Sequence, residues 1–477
     1  MTRVLLVYPY FGRRRDRSRF RFPPLGPAYV AAALRAAGHE VELLDCTFLD
    51  REGALARARV SGATVVGVYA MATLAHEARW FAERLRGRCE LLVAGGPLPT
   101  CEPESFRSQF DLIVRGEGEQ TMVELVAAFE AGADPGAVPG VVRGLRAGRT
   151  RGGGGADGAR PVTKTGGAPQ ARPEAGVESP SPRPFATDLD ELAFPARDLL
   201  PNERYIAFGR RAYGYAITTV MSTRGCPYAC EFCSNVVFGD SYRERSAASV
   251  LDEVEEALSL GYDRISFADD VFTLRRAHVL AFCDEVARRG LRFSWECLGR
   301  VDALDDELAA RLRAAGCFRI FFGIESGSDA TLALMNKRIT RDQARAAVEA
   351  AHRAGLEVGA FFIVYYPGES EESALETLRF ATRLPLDYLG LTMPYPLPGT
   401  ALSARLAGRR RREWRQNGGA LLGHRLTFEA DVSATKMRVA LLKGRMQFEM
   451  RRRLGRAAPL ALGIFEPATD RLLRRLR

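Results

Sequence analysis

The sequence has no apolar run approaching the length of a membrane-spanning helix, which argues against an integral membrane protein. Its opening, Met1-Thr-Arg-Val-Leu-Leu-Val-Tyr-Pro9, is too short and too soon interrupted for a signal peptide. Six of the nine cysteines (46, 89, 101, 283, 297 and 317) lack metal-ligand spacing and read as small buried hydrophobes. Cysteines used this way fit a reducing compartment, so a cytoplasmic protein is expected. Large apolar residues are almost missing from about 147 to 184, where Arg151-Gly-Gly-Gly-Gly-Ala and Ser179-Pro-Ser-Pro-Arg-Pro184 cannot bury enough surface to order themselves; a flexible linker or surface insertion is expected there. Acidic residues are scarce at one end only. From Ala401 to Arg477, 19 lysines and arginines face six acids, a net +13 that leaves the first 400 residues at −3. Such a basic tail can attract nucleic acid, anionic lipid or an acidic partner, or form a solvated helical face; it carries no nucleic-acid or membrane code.

What is present centres on residues 226–233, Cys-Pro-Tyr-Ala-Cys-Glu-Phe-Cys. Three thiolates at CxxxCxxC spacing can hold three irons of a [4Fe–4S] cluster and leave the fourth open to a ligand. Pro227 keeps the start of the segment out of a regular helix, and Phe232 offers an apolar wall beside the last sulfur. The β-branched stretch Ile217-Thr-Thr-Val220 places a strand before the loop. A zinc site completed by a distant fourth ligand, or three unrelated core cysteines, are the alternative readings.

At 477 residues and 47% apolar content, two or three domains with real cores are expected. Val4-Leu-Leu-Val-Tyr8, Val41-Glu-Leu-Leu-Asp45, Val65-Val-Gly-Val-Tyr69, Leu91-Leu-Val-Ala94 and Asp111-Leu-Ile-Val114 read as strands separated mostly by helical patterns. That alternation argues a parallel sheet with helices on both faces. After the cysteine loop it resumes at Arg264–Ala268, Arg292–Cys297, Phe318–Phe322, Val358–Val364 and Tyr388–Thr392. With the strand before the loop these make six, the pattern of an open (β/α)6 barrel, whose ligands sit at the carboxyl ends of the strands. The tail places Met437, Met446, Phe448 and Met450 among arginines, the pattern of a helix packing on the barrel mouth.

The run Ser222-Thr-Arg-Gly-Cys-Pro-Tyr-Ala-Cys-Glu-Phe-Cys-Ser234 resembles the cluster loop of the radical S-adenosylmethionine (SAM) enzymes, and the order of strands and Gly-rich turns before it resembles the cobalamin-binding domain found ahead of many radical SAM barrels. The resemblance spans roughly residues 1–140 and 185–402. It implies a Rossmann-like cobalamin-binding domain over 1–146, the linker over 147–184, a partial radical SAM barrel over 185–400 and a basic, mainly helical region over 401–477. It implies Cys226, Cys230 and Cys233 as cluster ligands, with SAM chelated to the open iron and cleaved by one electron to methionine and a 5′-deoxyadenosyl radical. Around SAM it places Phe232, Asp269 and Asp270, Arg300, Glu325 and Ser326 of Gly323-Ile-Glu-Ser-Gly327, and Tyr366, Pro367 and Gly368 of Phe362-Ile-Val-Tyr-Tyr-Pro-Gly-Glu369. Tyr366 stands where the family has glycine, and is expected to narrow the adenine pocket or reach toward substrate. Around cobalamin it places Pro24, Leu25 and Gly26, then Gly95, Gly96 and Pro97, then Gly116, Glu117, Gly118 and Glu119. The Asp-x-His-x-x-Gly motif whose histidine ligates cobalt is absent; His39 and His76 read as helix-end residues.

The function expected from this resemblance is cobalamin-dependent methyl transfer to carbon or phosphorus of a small-molecule substrate, with a flavodoxin or ferredoxin as electron donor. Oxidative ring formation, as in the anaerobic magnesium-protoporphyrin ester cyclase family, is the alternative with the same cofactors. A cluster- or cobalamin-binding sensor is the non-enzymatic reading. The sequence names no catalytic acid or base, and no substrate.

Overall fold

The protein is described from a computed structural model covering residues 1–12, 21–145, 181–409 and 427–476. Of the linker expected over 147–184 only 181–184 are included, and residues 410–426 of the tail likewise lie outside the described residues.

The first sheet contains β1 (Arg3–Tyr8), β2 (Glu40–Asp45), β3 (Val65–Tyr69), β4 (Leu91–Gly95), β5 (Leu112–Val114) and β6 (Val141–Arg143), in the order β2-β1-β3-β4-β5-β6. All neighbours are parallel except β5 and β6. Alternate residues of β1 serve opposite faces: Leu5 and Val7 pack with Ala78 and Phe81, whereas Val4 and Leu6 pack with Ala28 and Leu125. A strand covered on both sides reads as an unbroken apolar run, which is why β1 was legible. In this order the chain reverses direction between β1 and β3, and such a switch point leaves a crevice at the carboxyl ends of the strands. The antiparallel β6 was not anticipated; it is short and follows a Pro139-Gly140 turn.

The second sheet contains β7 (Ile217–Val220), β10 (Arg264–Phe267), β11 (Ser294–Gly299), β12 (Cys317–Glu325), β13 (Glu357–Ile363) and β14 (Tyr388–Thr392), in the order β14-β13-β12-β11-β10-β7 and parallel throughout. These are the six strands expected of the open barrel. Between β7 and β10 a ribbon of β8 (Thr223–Arg224) and β9 (Arg243–Glu244) brackets the cysteine loop. The aromatic centre of the barrel core is Phe267, Phe272, Phe282 and Trp295, packed mainly edge to face.

The segment Phe194–Leu200 joins the two sheets. The Ala196 N–H donates to the Ala28 carbonyl (3.0 Å), and Arg35 pairs with Asp198 (2.8 Å). Arg197, 1% exposed, donates to Glu253 (2.5 Å) and to the Thr219 carbonyl (2.7 Å). Glu253, fully buried, also pairs with Arg245.

In the tail, the helices Ala434–Leu454 and Ala458–Arg475 pair with each other and pack on the helix Glu371–Arg383 and on β14. Gly444 allows the close approach: a Cβ there would lie 2.4 Å from Leu391. Buried polar pairs, Lys443 with Asp470 and Gln447 with Glu466, tie the two helices together. The tail thus packs over β14, the edge strand of the sheet, beside the helix Glu371–Arg383. No helix among the described residues is long and apolar enough to cross a membrane.

Candidate active site

The cysteine loop is anchored from below. The Asp269 carboxylate, 1% exposed, accepts from the Ser222 N–H (2.7 Å), the Thr223 N–H (3.0 Å) and the Ser222 hydroxyl. Gly225 has φ 84°, and a Cβ on it would lie 2.3 Å from the Ser241 carbonyl oxygen, so only glycine fits immediately before Cys226. The Cys226 N–H then donates to the Gly239 carbonyl (3.2 Å), and the Glu231 N–H to that of Met335 (2.9 Å).

Two of the three thiols are shifted by their surroundings. Desolvation pushes Cys226 and Cys233 upward, Cys233 to about 12, and repulsion from Cys230 and Asp270 adds to the rise in both. Among the described residues, no three His, Cys, Asp or Glu side chains converge to hold a single metal ion.

The strand ends bring most, but not all, of the expected SAM residues to this loop. Asp270 is exposed, and its charge raises the thiols. Arg300 is buried, pairs with Asp302 (2.9 Å) and lies 3.5 Å over the Tyr228 ring inside the cysteine loop. Glu325 ends β12 with a left-handed backbone (φ 72°) beside a break in strand register. Burial raises its carboxyl, opposed by Lys337, whose ammonium lies 3.4 Å away and 5.8 Å from the Phe232 ring. Glu296 is taken up by Arg319 (3.2 Å) and Ser266 (3.0 Å).

Three expectations are corrected. Asp269 is an anchor of the loop rather than a wall of the site, because its acceptor positions are used by Ser222 and Thr223. Ser326 is fully buried and bonds to Thr377 (2.8 Å) on the neighbouring helix. The Tyr366 hydroxyl does not reach outward; it donates to Glu231 (2.6 Å), which Arg405 also grips (2.6 Å), so Tyr366 braces the cysteine loop. Pro367 is buried with its carbonyl toward Arg405, and Gly368 takes φ 90°. Glu231 and Arg405 escaped the sequence reading because their partners lie far along the chain, and Lys337 because it meets Glu325 only across the turn of a short intervening helix.

Asp269 offers a pH test. Burial pushes its carboxyl from the ordinary 3.8 up to about 6, against the pull of its hydrogen bonds. A folded state that holds this proton more tightly than the unfolded chain loses stability as pH rises from 3.8 to about 6 and nothing further above it. Asp269→Asn keeps an oxygen for the two backbone donors and turns N–H toward the Ser222 hydroxyl. Its urea midpoint is expected to vary less than wild type's across that window; an identical pH slope in the two proteins would refute the assignment.

The second part of the site is the crevice at the β1/β3 switch point, a cleft of about 280 Å³ that opens to solvent. Its apolar floor includes Leu6, Val68 and Val93. Backbone is laid bare at Gly67, where a Cβ would lie 2.8 Å from Leu6, and at Gly96 (φ 108°), where one would lie 2.7 Å from the Ala70 carbonyl oxygen. Gly26, Gly95, Gly96, Pro97, Gly116, Glu117, Gly118 and Glu119 line it. Pro24 and Leu25 do not: Pro24 precedes the helix Leu25–Ala36, and Leu25 turns into the core. Met221, Arg224, Val237 and Phe238, from either side of the cysteines, form the opposite wall. Among the described residues no histidine lines the crevice; His39 faces Glu130 (3.6 Å), and His76 sits in the helix Ala75–Leu85.

Residues 220–381 match the radical SAM superfamily and residues 15–126 the B12 binding domain. The chain is 31% identical over 392 residues to an uncharacterized methyltransferase of Pyrococcus horikoshii, spanning 80% of this chain and 77% of that protein. The chain belongs to the cobalamin-binding radical SAM family. It is therefore an enzyme, methyltransferase-like, whose cofactors are a [4Fe–4S] cluster, SAM and cobalamin. This radical SAM protein is also 26% identical over 409 residues to the anaerobic magnesium-protoporphyrin IX monomethyl ester cyclase of Rubrivivax gelatinosus, covering 83% of this chain and 68% of the cyclase. Its fold resembles the radical SAM methyltransferase TsrM from Kitasatospora setae, solved with cobalamin and a [4Fe–4S] cluster (TM-score 0.66, 20% identity, 85% and 75% of the two chains). It also resembles the cobalamin-dependent radical enzyme OxsB (TM-score 0.73, 15% identity, 99% and 72%). The residues fit these groups: three thiols on one short anchored loop suit a cluster, and a glycine-bared apolar floor in an open cleft suits a flat macrocycle.

Proposed function

We propose that this enzyme transfers a methyl group to a carbon or phosphorus centre of a small-molecule substrate, with Cys226, Cys230 and Cys233 holding the cluster and the β1/β3 crevice holding cobalamin. The observation that carries the reading is the shared wall. Residues flanking the cysteines close the crevice, so both cofactors would face one reaction space. When bound, the cluster with SAM supplies hydrogen abstraction and cobalamin supplies the methyl group; the chain contributes position and exclusion of water.

In this reading Asp270 attracts the SAM ammonium, Arg300 its carboxylate, and Glu325, kept in place by Lys337, accepts from the ribose hydroxyls. Phe232 and Tyr366, with rings 6.4 Å apart and edge to face, wall the same side. A flavodoxin- or ferredoxin-type protein delivers the electron.

The likeness to the cyclase favours one rival, oxidative ring formation with the same cofactors. Products separate the two without knowledge of the substrate. Anaerobically reconstituted protein given SAM, cobalamin and reductant is expected to form both 5′-deoxyadenosine and S-adenosylhomocysteine, the latter marking methyl donation. 5′-Deoxyadenosine without S-adenosylhomocysteine would support the cyclase reading, and neither product with an intact cluster would sink both.

A further inference from the structure

The two halves of the active site are joined by a buried charge network centred on Arg224, two residues before Cys226. Its guanidinium forks, with Nη1 donating to Glu117 (3.1 Å) and Nη2 to Glu119 (2.7 Å). Both acids belong to the Arg115–Glu119 turn that follows β5, and its Gly116 and Gly118 line the crevice. Glu117 also accepts from Arg243 on β9 (2.8 Å) and from the Ala186 N–H (2.9 Å). The Arg224 side chain is 3% exposed and lies between the rings of Tyr29 and Phe238, each 5.1 Å away. Two cations and two anions balance, and the fork needs both carboxylates in place at once.

We propose that Arg224 is a positioning residue that couples occupancy of the crevice to the set of the cysteine loop, so that cobalamin and the cluster strengthen each other's binding. This rests on reading the crevice as the cobalamin site. A ligand there touches the Glu117–Glu119 turn, Arg224 and both flanking rings together, so fixing the turn fixes the strand that leads into Cys226. Slack in the loop must in turn loosen the turn. Coupling of binding is reciprocal, and its usual size corresponds to a change in affinity of about 5- to 150-fold. A lysine at 224 can satisfy only one carboxylate at a time, so either Glu119 loses the arginine's bond or Glu117 is left to Arg243 and the Ala186 N–H alone, and the fork across the turn is lost.

The test uses the full chain and two readouts that do not depend on turnover. Hydroxocobalamin affinity is titrated by visible absorption before and after anaerobic cluster reconstitution, and iron release to a chelator is timed with and without hydroxocobalamin. Wild type is expected to bind hydroxocobalamin about fivefold or more tightly once the cluster is in place, and to release iron correspondingly more slowly when it is bound. In Arg224→Lys and Arg224→Gln, and from the other side in Glu119→Gln, both ratios are expected to fall toward one. Equal wild-type affinities with and without the cluster would overturn the coupling whether or not any variant folds. Coupling that persists in folded Arg224 variants would overturn the role of Arg224. Failure to bind hydroxocobalamin at all would remove the crevice assignment and this inference together, whereas binding without coupling removes the inference alone.

Discussion

Replacing any one of Cys226, Cys230 or Cys233 by alanine is expected to abolish 5′-deoxyadenosine formation, a loss beyond about 10³-fold, or at least roughly 4 kcal/mol at the transition state. The reason lies in the loop rather than in sulfur number alone. Gly225, Asp269, Gly239 and Met335 fix the backbone on either side of the cysteines, so another residue cannot swing in to replace a lost ligand. Iron content and the visible absorption of the cluster should fall with activity. Cys46, fully buried in the first sheet's core, and Cys283, 4% exposed in the barrel core, serve as controls whose alanine variants keep both. A Cys233→Ala protein that retained iron and still produced 5′-deoxyadenosine would contradict the ligand assignment.

The second large effect is expected on stability, at the junction. Glu253 is fully buried between Arg197 and Arg245, and Glu253→Ala removes the carboxylate both share, leaving two buried guanidinium groups with backbone carbonyls but without that counter-charge. Breaking a buried pair from one side typically costs about 3–5 kcal/mol. A melting temperature lower by about 3–5 °C follows for a chain of this size. Because Arg197 comes from the segment joining the sheets, hydrogen exchange should rise first in Phe194–Leu200 and in the helix Ala247–Ser259. A shift of less than about 1 kcal/mol would mean that water or neighbouring carbonyls already satisfy the arginines.

Much of the architecture could be read from the chain because its central strands are apolar on both faces and its turns are rich in glycine. The parallel alternation, the six barrel strands and the glycines of the crevice followed from that. The short pieces did not. β6 offers two valines and an arginine, and β8 with β9 only two residues each, so none carries a period that could be recognised. Site residues were legible where chemistry and spacing coincide, as in the cysteine triad, and failed where a polar side chain serves the backbone. Asp269, Ser326 and Tyr366 sit at strand ends that face the site, yet their polar atoms are consumed by Ser222, Thr377 and Glu231. Lys337 and Arg224 were missed for the opposite reason, since only folding brings them to Glu325 and to the Glu117–Glu119 pair. A hint was nonetheless present: two acids in one glycine-rich turn next to an apolar cleft require a basic partner.

Glu325 keeps a backbone conformation that glycine would adopt without strain. Glycine would relieve the backbone but leave the Lys337 ammonium without its carboxylate, so on the proposed reading, in which Glu325 meets the ribose hydroxyls, the acid is kept there at a cost in backbone strain. Libraries meant to toughen the enzyme should hold residue 325 constant and seek their gains elsewhere, for instance on the solvent face of the terminal helices.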